Sequence, residues 1–134
     1  MRTKARESLR LYPVPSSAGE ARRWIKQTLQ DHGREEWLDN TTLIVSELVT
    51  NAYRHTQRPA TLYYSEWECR PWIEVVDESA IFPDFHTVDT LGETGRGLKA
   101  VSRLSVICGY CRIESSSFMG KVVFSAPRKD HTSP

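Results

Sequence analysis

A long helical pattern, free of glycine and proline, constrains this 134-residue chain more than any other feature. The pattern runs from about Glu35 to His55, and its apolar residues recur at helical intervals. These apolar residues are Leu38, Leu43, Val45, Leu48, Val49 and Ala52. The spacing predicts an amphipathic helix, the second helix of the chain, with its polar residues on the opposite face.

A strand and a first helix are expected before this segment. Ser8–Tyr12 alternates in polarity like a short strand, and two prolines close it. Ser17, followed three residues later by Glu20, matches a capping box and predicts the start of the first helix. Gly33 is the expected C-terminal stop of that helix.

Paired strands are expected after the long helix. Residues 60–67 and 72–76 are rich in aromatic and β-branched residues, and a turn is predicted near Arg70-Pro71. Residues 78–94 have weak periodicity, and so long a loop in a small domain is usually functional or mobile, so we expect a lid there. A short helix from Gly97 and a closing hairpin, residues 105–114 with 121–126, complete the chain.

Composition favours one ordinary globular domain. We expect it to span residues 9–126, with flexible ends at 1–8 and 127–134. The 18 Lys+Arg and 17 Asp+Glu leave a net charge of +1, which provides no overall field to attract nucleic acid or a membrane. The sequence has no secretory core and no apolar run long enough to span a membrane, and its three cysteines are an odd and small number. These features predict a cytoplasmic protein.

Glu47 and Asn51 are the most informative polar pair, because four residues separate them inside the long helical pattern. That spacing places both side chains on one helix face, about 6 Å apart along the axis. A carboxylate can accept a proton from an attacking hydroxyl, and an amide oxygen is a suitable ligand for magnesium. The pair indicates phosphoryl chemistry, but taken alone it is better explained as the polar face of an ordinary amphipathic helix.

A glycine-rich turn, Gly92-Glu93-Thr94-Gly95-Arg96-Gly97-Leu98, precedes the short third helix. Closely spaced glycines let backbone amides approach an anion, and the helix start adds its positive dipole end. The sequence is neither a Walker loop nor a dinucleotide-binding fingerprint. It predicts phosphate binding, with a plain helix-entry loop as the alternative.

Asp77 stands just past a hydrophobic strand, where a carboxylate either caps a turn or meets a ligand donor. An exocyclic amino group such as that of adenine would suit it. Cys108-Gly-Tyr-Cys111 raises a separate possibility, a thiol redox or metal site. Neither the helix start of a thioredoxin-like pair nor a second pair of zinc ligands accompanies it, so packing cysteines are the better interpretation.

In this order, these features resemble the GHKL superfamily, whose ATP-binding Bergerat fold is shared by DNA gyrase, a heat-shock chaperone, sensor histidine kinases and MutL repair proteins. Within it, the string Glu47-Leu-Val-Thr-Asn51-Ala and Gly95-Arg96-Gly97-Leu98 are most similar to bacterial anti-sigma-factor serine kinases. The resemblance implies a two-layer α/β sandwich, in which helices cover one face of a mixed, mainly antiparallel sheet.

The resemblance also implies roles for particular residues. Glu47 would be the catalytic base, Asn51 the magnesium ligand and Asp77 the acceptor of the adenine amino group. The ATP-binding set would be Asn51, Asp77, Ser79, Gly92, Thr94, Gly95, Arg96, Gly97 and Leu98. Two boxes differ from the family's usual pattern. No glycine follows Asp77 in Asp77-Glu78-Ser79, and Gly120 precedes Lys121 instead of a threonine, so that Ser79 or a water is the candidate substitute for the missing hydroxyl.

The activity implied by the resemblance is that of an ATP- and Mg²⁺-dependent protein-serine kinase. Its substrate would be an anti-sigma-factor antagonist of the STAS type, its second partner a sigma factor, and the protein a possible homodimer. The alternative is a catalytically weak or inactive module whose binding to a partner depends on nucleotide.

Overall fold

A computed structural model of the chain describes residues 6–79 and 97–131. In chain order its elements are β1 (Glu7–Leu11), α1 (Ser17–Asp31), a 3-10 turn (Glu35–Trp37), α2 (Leu38–His55), β2 (Ala60–Trp67), β3 (Arg70–Asp77), α3 (Gly97–Leu104), β4 (Ser105–Glu114) and β5 (Met119–Pro127).

The five strands form one sheet in the order β1-β2-β3-β5-β4. All four strand pairings in the described residues are antiparallel, whereas the expectation is a mixed, mainly antiparallel sheet. The closing hairpin forms as predicted, and its second strand, β5, lies beside β3. The result is an α+β fold with a helical layer and a sheet layer, which confirms the coarse prediction.

The core lies between the sheet and the helices α1 and α2. Alternate residues of the central strands, such as Leu62, Ile73 and Val75, are fully buried against the apolar faces of those helices. Leu48 and Val49 of α2 belong to the same cluster. No helix within the described ranges is both long and apolar enough to cross a membrane.

Helix α2 confirms the long helical pattern, and a distant residue caps its start. The backbone amides of Asp39 and Asn40 donate to Asp130 Oδ2 and Oδ1 at 3.0 and 2.9 Å. First-turn amides have no acceptor within their own helix, and a carboxylate also complements the positive end of the helix dipole. Residues 128–131, which belong to the predicted flexible tail, are therefore held against α2.

The start of α1 differs by one residue from the prediction. Ser16, not Ser17, occupies the N-cap position, and its side chain makes no capping hydrogen bond in the described residues. Ser17 is buried as the first helical residue. As a helical residue, Ser17 is not the N-cap of the predicted capping box with Glu20. Gly33, at φ +69°, ends the helix as expected.

The turn between β2 and β3 is also displaced from its predicted position. Glu68 and Cys69 form it with φ of 50° and 62°, and Pro71 pairs with Glu66 inside β3. Pro71 is tolerated there because β5 pairs with β3 only from Ile73 onward, so this end of the strand has one neighbour. The predicted hairpin therefore forms, and its turn occupies the two residues immediately before Arg70-Pro71.

Candidate functional site

Helix α2 carries the predicted base and metal ligand in its interior. Glu47 is 8% exposed, and Asn51, one turn later, is half-buried. The helix packs against β3, β5 and α3. Glu47 and Asn51 therefore lie on a helix that contacts the strands of Asp77, in β3, and Lys121, in β5.

Asp77, the last residue of β3, is the most deeply buried acidic residue of the predicted site. It is 1% exposed, and its place in the strand alternation puts its side chain on the same sheet face as Ile73 and Val75. That face is the one the helices cover. A buried carboxylate requires partners, because its desolvation is otherwise costly.

The two oxygens of Asp77 have different environments. Oδ1 accepts a hydrogen bond from the Ser79 amide at 2.8 Å and one from Lys121 Nζ at 2.9 Å. Oδ2 is buried and has no hydrogen-bond partner among the described residues. Turn capping and ligand binding were alternative interpretations of Asp77. The geometry assigns the turn to Oδ1 and leaves Oδ2 as an acceptor for a further donor.

Sequence reasoning missed Lys121 as a member of this site. It pairs directly with Asp77 across β3 and β5, and its side chain is fully buried. The sequence shows that no threonine hydroxyl follows Gly120, and the structure adds that a buried lysine ammonium group lies at the next position. One signal was available: Lys121 lies two positions before Val123, so strand alternation turns it toward the core.

Gly120 brings β5 unusually close to the end of β3. A Cβ at this position would lie 2.0 Å from the Asp77 carbonyl oxygen and 3.0 Å from Glu78 Cα. No side chain fits there, because both neighbours are backbone atoms. The glycine therefore allows the pairing that places Lys121 beside Asp77.

The predicted phosphate-binding turn is only partly described. Gly92, Thr94, Gly95 and Arg96 lie outside the described residues, as does most of the predicted lid. Gly97 is the first residue of α3, and Leu98 is buried in the core cluster. The predicted start of the short helix at Gly97 is therefore confirmed. The helix α3 packs against α2, which carries Glu47.

Within the described ranges, no group of three or more His, Cys, Asp and Glu side chains could hold a metal ion. Of the described residues, Asn51 on α2 is the one that the sequence analysis assigns to magnesium, and its amide oxygen would act together with ligand phosphates. That donor set fits the hard, hydrated character of magnesium, which protein sites commonly bind through one or two side chains and a nucleotide.

The two cysteines of the Cys-x-x-Cys string do not form a redox pair. Both lie in β4 as free thiols, and three residues along a strand place them on opposite sheet faces. Burial raises the pKa of the Cys108 thiol, and hydrogen bonds from Ser102 and Ser105 only partly oppose this effect. A protonated, half-buried thiol is a poor nucleophile, so the structure favours the packing interpretation.

Comparison with known proteins adds no family assignment to this geometry. A scan of the chain against protein-family models finds no match. A search of curated proteins also finds no significant match.

Proposed function

We propose that this protein binds ATP with Mg²⁺ and transfers the γ-phosphate to a serine of a protein substrate. The observation that carries the proposal is the buried Oδ2 of Asp77 on the helix-covered face of the sheet, which has no hydrogen-bond partner in residues 6–79 and 97–131. Leaving such an acceptor without a hydrogen bond costs about 1–3 kcal/mol, more for a charged group. A ligand that brings an N–H donor into this position recovers that free energy.

The adenine amino group is the donor that best suits Oδ2. Asp77 Oδ1 is already fixed by Ser79 and Lys121, so the carboxylate is held in one orientation before any ligand binds. Preorganisation of this kind improves both affinity and specificity. The base would therefore lie against the ends of β3 and β5, beneath α2.

The phosphates would then extend toward the start of α3, where the first amides of a helix face an anion. Asn51 would supply its amide oxygen to magnesium, which neutralises phosphate charge during transfer. Glu47 would accept the proton of the substrate serine as its oxygen attacks phosphorus. Its place in the interior of α2 holds the carboxylate on a rigid element.

The protein partners follow from the sequence resemblance alone. We propose an anti-sigma-factor antagonist of the STAS type as substrate and a sigma factor as second partner, in the cytoplasm. A nucleotide-dependent binding module without catalysis is the competing function. The two functions share the nucleotide site and differ in the role of Glu47.

Replacing Asp77 with asparagine is expected to weaken ATP binding at least about 10-fold, because the amide presents a weaker acceptor to the base and loses the charge that orients Lys121. Isothermal titration calorimetry with ATP and Mg²⁺ measures this. Glu74→Gln is the control, since Glu74 lies in the same strand with its side chain on the opposite face. If the unmodified protein fails to bind millimolar ATP, the proposed function is wrong.

Replacing Glu47 with glutamine is expected to leave ATP affinity unchanged and to lower phosphoryl transfer by about 10²–10⁴-fold. Radiolabel transfer from ATP to candidate STAS proteins measures the second quantity, with Glu20→Gln, an exposed change on α1, as control. If Glu47→Gln retains full nucleotide-dependent control of a sigma factor and the unmodified protein shows no transfer, the non-catalytic module is the correct function.

A further inference from the structure

The ammonium group of Lys121 has more donors than its surroundings use. Lys121 is 0% exposed, and within the described residues its Nζ donates one hydrogen bond, to Asp77 Oδ1. A lysine ammonium carries three N–H donors. Two of them therefore have no acceptor among the described residues, and the side chain that carries them is fully buried.

The unused donors lie close to the unused acceptor. Nζ and the Asp77 carboxylate are joined by a 2.9 Å hydrogen bond, and the free Oδ2 belongs to that same carboxylate. Buried polar groups in proteins are nearly always satisfied by protein, water or ligand. The Lys121 donor and the Asp77 Oδ2 acceptor lie side by side. They would match a ligand whose edge presents a hydrogen-bond acceptor next to a hydrogen-bond donor.

We infer that Lys121 is a specificity-determining residue of the nucleotide site, donating to the ring nitrogen next to the adenine amino group while Asp77 Oδ2 accepts from that amino group. The inference rests on the proposed function, which supplies the adenine. The Watson–Crick edge of adenine has an amino donor and a ring-nitrogen acceptor on neighbouring atoms. Asp77 and Lys121 match both.

This pair also explains how the site is built without a hydroxyl after Gly120. Lys121 of β5 pairs with Asp77 at the end of β3, and its buried ammonium group compensates the charge of the carboxylate. A charge-assisted hydrogen bond is stronger than one from a neutral hydroxyl. Recognition of the ring nitrogen would therefore contribute more to affinity here than a neutral donor could.

The test uses 1-deaza-ATP, in which a C–H replaces the ring nitrogen while the amino group remains. We expect the unmodified protein to bind it about 10- to 100-fold more weakly than ATP, because a buried charged donor loses its acceptor. Calorimetric titration of both nucleotides with Mg²⁺ measures the ratio. Since this comparison changes the ligand and not the protein, a folding defect cannot produce it.

A Lys121→Met variant completes the comparison. Its affinity for ATP should fall, and its preference for ATP over 1-deaza-ATP should disappear, because no donor remains to distinguish the two bases. Circular dichroism checks that the variant is folded. GTP, which has a carbonyl in place of the amino group, should bind the unmodified protein more weakly than ATP.

The outcomes separate this inference from the proposed function. If ATP and 1-deaza-ATP bind the unmodified protein equally, Lys121 does not contact the base, and the ATP site itself stands. Equal or tighter binding of GTP would also overturn the assignment of donor and acceptor. If ATP does not bind at all, the proposed function is wrong and this inference falls with it.

Discussion

Replacing Gly120 with alanine is expected to destabilise the protein by about 3 kcal/mol or more and to abolish ATP binding. The added Cβ would lie 2.0 Å from the Asp77 carbonyl oxygen, a contact that requires the backbones of β3 and β5 to separate. Separation at this point breaks the pairing of Asp77 with Lys121 and exposes or reorients the buried ion pair. Urea denaturation at neutral pH measures the first effect, and calorimetric titration with ATP the second.

Gly19→Ala is the matched control, because it adds the same methyl group in the opposite context. Gly19 lies in the first turn of α1, where the nearest atoms to an added Cβ are the tips of Arg23 and Arg22 at 3.5 and 3.6 Å. Alanine is favoured over glycine in a helix by up to about 1 kcal/mol, so this variant should be slightly more stable than the unmodified protein. If Gly120→Ala and Gly19→Ala change the free energy of unfolding equally, the close approach of the backbones at Gly120 is wrong.

The elements that local pattern specifies were predictable from the sequence. The period of α2 and the absence of glycine and proline in it fixed the helix that carries Glu47 and Asn51, and β2 occupies residues 60–67 as expected. Gly33 ended α1 through its left-handed backbone. Each of these depends on neighbouring residues in the chain, which is why a single sequence reveals them.

Features that depend on distant residues were not predictable in the same way. The partner of Asp77 is 44 positions away and is determined by the register of β3 with β5. The cap of α2 comes from Asp130, 91 residues beyond Asp39. A capping motif adjacent to the helix is visible in a sequence, but a cap supplied by another part of the fold is not, because tertiary packing decides which carboxylate arrives there.

The buried carboxylate of Glu66 forms a cluster with Arg34 and Tyr64. This Glu66 cluster also depends on residues distant in the sequence, and we expect its loss to lower the stability of the protein strongly. Glu66 in β2 is 2% exposed and receives two hydrogen bonds from Arg34, Nε at 3.0 Å and Nη2 at 3.1 Å. The Tyr64 hydroxyl donates to the same carboxylate at 2.6 Å. Because Arg34 follows the Gly33 stop, the cluster fixes the connection between α1 and α2 to the sheet.

Replacing Arg34 with methionine is expected to destabilise the protein by about 3–5 kcal/mol, because it removes a guanidinium partner and its two charge-assisted hydrogen bonds from a buried carboxylate. Urea denaturation at neutral pH measures the change. Arg58→Met is the matched control, since its pair with Glu78 is 3.4 Å long and Arg58 is 71% exposed. Exposed pairs contribute little, so that variant should change stability by less than about 1 kcal/mol. A loss from Arg34→Met no larger than the control's would contradict a buried cluster.

The pH dependence of unfolding gives an independent readout of the same cluster. Burial opposes ionisation of Glu66, but the hydrogen bonds from Arg34 and Tyr64 outweigh it and hold the pKa of the carboxyl below its ordinary value of 4.5. Burial first, and then the hydrogen bond to Glu66, raise the pKa of Tyr64 well above its ordinary 10.0, so the hydroxyl stays a donor throughout the acidic range.

A carboxyl with a lowered pKa stabilises the fold fully above its unfolded pKa and loses that contribution as pH falls through its folded pKa. The free energy of unfolding should therefore decline below about pH 4.5 in the unmodified protein and decline less steeply in Glu66→Gln, which has no carboxyl to protonate. Parallel curves for the two proteins between neutral pH and about pH 3 would show that Glu66 is not stabilised as an anion in the folded state.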